Sequence, residues 1–289
     1  MKKYLHPKFL PILVLTAGLL ACVLRLWTMA NSNGLGPDSE GLYAPHPVAW
    51  ALLWIVTIGT AAAIVLLSAR LKNPGRYVDN FPASIPGAVG NVLAALGIML
   101  YSLRLLTTGS ELLYTATGIL GIASAIGLMI AAFNRFRGQK CSFLLHAIPC
   151  LFFALRIFER CKAWSNIPQV SVFLFPFLAS VCAMLASYQL SCFDVNLGKR
   201  KKSLFWSLCG VYCAMISVIG SDDPLFYLCI GAWLLTNLCS VRPLKARKPQ
   251  QEQPAAEAAP EAAPSSPVTE PAAEEDMSYD KLLDWLDKE

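Results

Sequence analysis

The sequence predicts an all-α fold, a polytopic transmembrane helical bundle of about eight helices followed by a disordered tail. Of its 289 residues, 55% are hydrophobic and only 15% are charged, which is far more apolar than an ordinary soluble domain. Apolar runs of about 17–23 residues recur, and this length crosses the hydrocarbon core of a bilayer. Residues 1–248 carry 22 Lys and Arg against 8 Asp and Glu, whereas residues 249–289 carry 2 against 11. These observations predict a basic membrane body joined to an acidic tail, and the divided charge gives no indication of nucleic-acid binding.

The predicted membrane helices are eight apolar runs within residues 1–248. Several runs place small residues one helical turn apart, for example Thr117, Gly121 and Ala125, and this spacing lets two helices approach closely. Taken two at a time, consecutive runs would form four helical hairpins. The eight runs are 9–29, 48–69, 88–106, 112–133, 142–158, 169–191, 203–220 and 225–241.

The basic residues between the runs predict an orientation. Connections on one side of the predicted membrane carry 17 Lys and Arg, and those on the other side carry five. Because the side richer in Lys and Arg normally faces the cytoplasm, both termini are predicted to be cytoplasmic. Compact loops favour a bacterial cytoplasmic membrane. The five basic residues of the poorer side are Arg25, Arg104, Arg156, Arg160 and Lys162.

The first run also has features of a signal peptide. The stretch MKKYLHPKFLPILVLTAGLLAC ends in a loose lipoprotein-type cleavage box at Cys22. The chain continues with the apolar sequence VLRLW rather than with polar mature sequence. Cleavage would also leave the remaining helices at odds with their flanking charges. We therefore expect this segment to be retained as the first transmembrane helix.

The set of reactive side chains in the sequence leads us to predict that the protein is not an enzyme and has no cofactor. Nine of the ten cysteines lie in or at the ends of apolar runs, and no CxxC pair occurs, so packing is the preferred interpretation over a metal site. A metal at His46 with Asp38 and Glu40 is less favoured than a solvated loop. No phosphate-binding loop, nucleophile elbow or HExxH motif is present. We predict no catalytic residues and no metal ligands.

Three arginines occupy equivalent positions at the ends of the first, third and fifth runs. Arg25, Arg104 and Arg156 lie in CVLRLW, YSLRLL and FALRIF, just inside the predicted outer interface. In one interpretation they extend toward lipid head groups and pair with local acids, Glu159 for Arg156 and Glu111 near Arg104. In the other they converge inside the bundle and bind an anionic or lipidic ligand, because charge inside a membrane usually faces a cavity.

Two prolines favour the second interpretation, and a histidine lies near one of them. Pro149 and Pro176 are predicted to break neighbouring helices roughly 10 Å below the outer edge, and broken helices often line a cavity. His146 lies about one turn deeper than Pro149 and is the only histidine inside an apolar run. It is read either as a polar residue satisfied between helices or as a proton relay.

The tail has two predicted parts. Residues 249–276 are rich in Ala, Pro and Glu and are predicted to form a disordered linker. Residues 277–289 are predicted to form a short amphipathic helix that docks on a partner, because thirteen residues are too few for a stable isolated helix. The partner is either a cytoplasmic protein or the basic loops of the same chain. The predicted docking face consists of Tyr279, Leu282, Leu283, Trp285 and Leu286.

Two functions follow from these features. The preferred prediction is a multipass membrane protein that binds or translocates a small anionic or lipidic ligand at the arginine region. The alternative is a membrane scaffold whose acidic tail recruits a cytoplasmic protein. Arginines that face the bundle interior would favour the first function, and arginines that face lipid would favour the second.

Overall fold

The computed structural model describes residues 9–30, 33–34, 43–44, 47–69, 76–109, 111–164 and 170–241. The predictions for His46 and its loop, for the linker 249–276 and for the docking segment 277–289 therefore lie outside the described residues.

The described residues are almost entirely helical. Eight long helices correspond to the eight predicted runs, and a short helix α3 lies in the connection before the third. One pair of two-residue strands, antiparallel with Asn33 opposite Ala44, lies in the connection after α1. The elements are α1 Phe9–Ala30, β1 Asn33–Gly34, β2 Tyr43–Ala44, α2 Pro47–Ala69, α3 Tyr77–Asn80, α4 Ile85–Thr108, α5 Leu112–Arg137, α6 Phe143–Trp164, α7 Val170–Asp194, α8 Arg200–Ser217 and α9 Pro224–Ser240.

Five of these helices are long and apolar enough to cross a bilayer. They are α1, α2, α4, α5 and α7, with spans of 21 to 26 residues. The fold is thus that of an integral membrane protein with several transmembrane helices. The 17-residue α9 is apolar but shorter, and α6 carries charged residues in its last turns.

Six helices follow one another around a closed ring. Each of α4 to α9 packs against the next, and α9 packs back against α4. The hairpin of α1 and α2 packs against α8. Large side chains fill the space between the ring helices, among them Phe152, Phe153 and Trp233, all with 0% exposure. Burial of such side chains stabilises a helix bundle by dispersion and close packing.

Small residues set the close approach of α4 and α5. Gly121 of α5 faces Ser102 of α4, and a Cβ atom added at Gly121 would lie 1.9 Å from Ser102 Oγ. Thr117 and Ala125, one turn to either side, are 0% and 1% exposed. The predicted small-residue spacing therefore lies at a buried helix–helix contact.

The helix ends fall into two groups. Ser84, just before α4, donates its backbone N–H to Arg135 near the end of α5, while Arg104 near the end of α4 contacts Asp223 just before α9. We call these the Arg135 end and the Arg104 end. Gly138 ends α5 in the left-handed conformation, φ 69°, which glycine adopts at little cost.

The two prolines that were predicted to break helices do not interrupt them. Pro149 lies inside α6 and Pro176 inside α7. Proline removes one backbone donor, and neighbouring polar side chains can satisfy the freed groups in a membrane helix. Neither proline opens a non-helical segment.

Candidate functional site

A shared carboxylate organises the Arg104 end of the bundle. Asp223, just before α9, contacts three guanidinium groups from two other helices. Its Oδ1 accepts from Arg104 Nη1 at 2.8 Å, and its Oδ2 lies 3.3 Å from Arg156 Nη2. Arg160 also donates to Asp223 Oδ2. Only 7% of the Asp223 side chain is exposed, so charged partners must offset its desolvation.

Arg156 is the buried centre of this cluster. Its exposure is 0%, and its guanidinium carbon lies 3.9 Å from the centre of the Phe226 ring and 4.5 Å from that of Tyr101. Nη1 donates to Ser180 Oγ and to Tyr227 Oη, both at 3.1 Å. This environment combines cation–π contacts with hydrogen bonds around a charge that has lost its water.

Two further acids complete the charge balance. Asp222 Oδ2 accepts from Arg160 Nη1 at 3.1 Å. Glu159, 3% exposed, accepts from the phenol of Tyr101 at 2.5 Å and lies 3.7 Å from Arg160 Nε. The arginine network is therefore three arginines and three carboxylates with no net formal charge. Its members are Arg104, Arg156, Arg160, Glu159, Asp222 and Asp223.

Two pockets open beside the network. One, of about 360 Å³, lies between α4, α5 and α6 and is lined in part by Arg104, Glu111, Tyr114 and Arg160. The other, of about 160 Å³, lies between α4 and α9 and combines Arg104 with apolar side chains such as Leu100 and Leu225. Arg104, Tyr101 and Asp223 line both pockets.

Arg104 is the exposed member of the network. Its side chain is 62% exposed, against 0% for Arg156 and 14% for Arg160. Among the described residues, its side chain donates outside α4 only to Asp223 Oδ1 and to the carbonyl of Asp222, and both bonds come from Nη1. Nε and Nη2 are therefore the donors that a ligand in either pocket would meet.

The remaining predicted residues lie at the edge of the network or away from it. Glu111, which lines the larger pocket, pairs with Lys162, and both side chains are about half exposed. Arg25 is 5% exposed and lies at another place on the same end of the bundle, where Nε donates to the carbonyl of Ile219 at 2.9 Å and the guanidinium lies over Phe175.

His146 belongs to the opposite end. It lies in the first turn of α6, and its Nδ1 is 2.7 Å from Asp194 Oδ2 at the end of α7. Ten residues of helix, about 15 Å, separate His146 from Arg156. His146 is thus buried, at 5% exposure, and has a carboxylate partner, but it is not part of the arginine network.

Cys141 lies beside this histidine–aspartate pair, in the connection before α6. One possible ligand atom each from Cys141, His146 and Asp194 lies within 4.8 Å of the others, and all three residues are buried. Burial and the neighbouring Asp194 raise the pKa of the Cys141 thiol to about 11. We call these three residues the Cys141 cluster. This cluster was not predicted from the sequence, because its residues are separated by five and 48 positions and match no ligand-spacing motif.

Of the acids in the network, Glu159 was predicted from the sequence as a partner of Arg156, but it contacts Arg160 and Tyr101. Asp222 and Asp223 were not predicted as partners. Asp222 and Asp223 are adjacent acids at the start of an apolar helix, which is a detectable signal. The pairing of Asp223 with Arg104 and Arg156, more than 60 positions away, has no counterpart in local sequence spacing.

Comparisons of the chain with protein-family models, with curated proteins and with solved structures give no match.

Proposed function

We propose that the protein binds an anionic amphiphile at the Arg104 end, with the anionic head group at Arg104 and the apolar part along the lipid-facing side of α4 and α9. The observation that carries this proposal is the position of Arg104, which is exposed, shared by both pockets and held by Asp223. Guanidinium groups bind phosphate and carboxylate through several N–H donors.

The pairing of the pocket acids supports an anionic ligand. Glu111 is paired with Lys162, Glu159 accepts from Tyr101, and Asp223 is shared by three arginines. Each carboxylate that lines the larger pocket thus has a partner, whereas Arg104 keeps donors for a ligand. Because the network has no net charge, affinity would come from directed hydrogen bonds more than from excess positive potential.

The apolar surroundings support an amphiphile over a free anion. Leu100 and Leu225 line the smaller pocket and are 53% and 52% exposed. Leu103 and Leu228, on the same two helices, are 47% and 57% exposed. In a membrane these side chains contact acyl chains. A ligand whose head group reaches Arg104 would lay its chain against this surface.

The packed interior favours binding over translocation. Phe152, Phe153, Phe226 and Trp233 lie between the ring helices and are all at most 3% exposed. A ligand moving through the ring from the Arg104 end would have to displace these aromatic side chains.

The test is lipid binding by the full chain in detergent micelles, followed by native mass spectrometry. Phosphatidylglycerol is the anionic probe, phosphatidylcholine the zwitterionic probe and glycerol phosphate the head group without chains. We expect phosphatidylglycerol to bind best. Arg104→Gln should weaken its binding roughly 10- to 100-fold, the cost of losing a charged hydrogen-bond donor.

The matched control is Arg137→Gln. Arg137 is an exposed arginine in the last turn of α5 at the Arg135 end, stacked on Phe133. The Arg137→Gln variant should bind lipid as the unaltered protein does. Equal binding of both phospholipids, or equal loss in the two variants, would contradict the proposal and leave the scaffold function, with its recruiting tail, as the better hypothesis.

A further inference from the structure

We propose that the Cys141 cluster is a binding site for a divalent transition-metal ion of the Zn²⁺ class, with Cys141 Sγ, His146 Nδ1 and one oxygen of Asp194 as its ligands. The site lies at the Arg135 end, so it is separate from the lipid site proposed above.

The donor set selects the class of metal. A thiolate, an imidazole nitrogen and a carboxylate oxygen together suit Zn²⁺, a borderline-soft ion, better than Mg²⁺ or Ca²⁺, which prefer oxygen ligands alone. The two anionic ligands would also balance the charge of a divalent ion. Three protein ligands leave a fourth tetrahedral position for water or another small ligand.

The ligand atoms are close to the arrangement that a tetrahedral ion requires. With metal–ligand distances of about 2.0–2.3 Å, the ligand atoms of a zinc site lie roughly 3.3–3.6 Å apart. The three atoms here lie within 4.8 Å of one another, and His146 Nδ1 is 2.7 Å from Asp194 Oδ2. The imidazole and carboxylate need to separate by roughly 0.7 Å, and the sulfur needs to approach them.

An unpartnered oxygen is the second observation that points to a ligand. Asp194 is 2% exposed, and its Oδ1 is buried without a hydrogen-bond partner among the described residues. A buried carboxylate oxygen in this condition is costly. Coordination of a cation by the Asp194 carboxylate would remove that cost.

The site joins three separate pieces of chain. Cys141 lies in the α5–α6 connection, His146 in the first turn of α6 and Asp194 at the end of α7. Metal binding would therefore link these segments and stabilise the folded protein. When the ion binds, Cys141 gives up its thiol proton to solvent. The proton that lies between His146 Nδ1 and Asp194 also leaves, so that the imidazole coordinates as the neutral form with its proton on Nε2.

The experiment uses the full chain in detergent micelles, purified without a polyhistidine tag and freed of metal by a chelator. Zn²⁺ alone is added, and bound metal is measured by equilibrium dialysis and mass spectrometry of the intact protein. We expect one Zn²⁺ per chain and a higher melting temperature. Co²⁺ in place of Zn²⁺ should give the optical absorption of a thiolate-bound tetrahedral ion.

The variants identify the ligands. Cys141→Ser and His146→Gln should each weaken Zn²⁺ binding at least about tenfold, since even the loss of an outer-shell partner costs that much. Cys161→Ser, which removes the exposed cysteine at the other end of α6, should bind Zn²⁺ as the unaltered chain does. If a variant fails to fold, protection of Cys141 from alkylation by Zn²⁺ in the unaltered chain, with Cys161 unprotected, gives the same information.

The proposal is overturned by either of two results. One is the lack of stoichiometric Zn²⁺ binding by the unaltered chain. The other is stoichiometric binding that persists in Cys141→Ser and His146→Gln, with no thiolate absorption from Co²⁺, which would place the metal elsewhere.

Discussion

The guanidinium of Arg156 and the carboxylate of Asp223 form an ion pair of 3.3 Å that joins the interior of α6 to the start of α9. Arg104, on α4, binds the other oxygen of the same carboxylate at 2.8 Å. One acid thus connects three helices of the ring. The two arginines differ in burial, since 0% of the Arg156 side chain and 62% of the Arg104 side chain is exposed.

This difference predicts unequal effects of two matched substitutions. Arg156→Gln removes a fully buried charge and leaves Asp223 and Tyr227 without one of their partners, so we expect it to lower the free energy of unfolding by about 3 kcal/mol. Arg104→Gln removes an exposed partner of the same acid, and we expect it to lower the free energy of unfolding by at most about 1 kcal/mol. Denaturant titration in mixed detergent micelles measures both. Equal losses would contradict the assignment of Arg156 as the buried centre of the network.

The contact of α4 with α5 predicts the effect of a single methyl group. Gly121→Ala places a Cβ atom 1.9 Å from Ser102 Oγ and 2.8 Å from a ring carbon of Phe152. We expect this overpacking to cost about 1–3 kcal/mol of the free energy of unfolding.

Gly59→Ala is the control for that substitution. Gly59 lies in α2, and nothing lies within 4 Å of a Cβ atom built there. Alanine favours the helix over glycine by about 1 kcal/mol, so this variant should be neutral or more stable. Destabilisation of both proteins by the same amount would indicate a backbone effect instead of a packing effect.

The positions of the helices could be predicted from the sequence because apolar runs carry the signal directly. The ends of the helices differ from the predicted ends because local capping and turn residues determine where each helix begins and stops. The run predicted from residue 88 begins as a helix at Ile85, since Ser84 Oγ accepts from the backbone N–H of Gly87. The run predicted to end at residue 220 stops as a helix at Ser217, ahead of Gly220 with φ 73°.

The candidate site could be predicted only in part. The shared position of Arg104 and Arg156 in YSLRLL and FALRIF indicated two of its members, but the same pattern also included Arg25, which contacts Ile219 and Phe175 instead. Helix periodicity does not encode which acid meets a given arginine across the ring. The role of Asp223 therefore required the tertiary arrangement.

The Arg135 end offers a prediction with a pH dependence. Tyr77 Oη accepts a hydrogen bond from Arg135 Nη1 at 3.2 Å, and Arg135 Nη2 donates to Ser240 Oγ at 2.7 Å. Tyr77→Phe removes the acceptor, and we expect it to lower the free energy of unfolding by about 1–2 kcal/mol near neutral pH.

Burial raises the pKa of Tyr77 above its ordinary value of 10.0. The neutral phenol is then favoured in the folded state. Its contribution to the stability of the protein is therefore fully present below pH 10 and is lost as the pH rises through the raised pKa. The difference in melting temperature between the unaltered protein and Tyr77→Phe should therefore narrow above pH 10. A difference that stays constant through this range would show that the phenol does not titrate as a buried group.

A buried hydrogen bond between α4 and α9 gives the last prediction. Trp233 Nε1 donates to Asn91 Oδ1 at 2.7 Å, and the two residues are 0% and 3% exposed. Asn91→Leu would leave the indole N–H without its acceptor, a cost of about 1–3 kcal/mol. Trp233→Phe would leave the asparagine oxygen without its donor and would also open a space beside Phe153, against which the indole stacks.

The double variant separates these contributions. With Asn91→Leu and Trp233→Phe together, neither unpaired polar atom remains, so the loss of unfolding free energy should be smaller than the sum of the two single losses by roughly 0.5–3 kcal/mol. The measurement is denaturant titration of all four proteins in the same micelles. Strict additivity would show that the 2.7 Å contact does not couple α4 to α9 energetically.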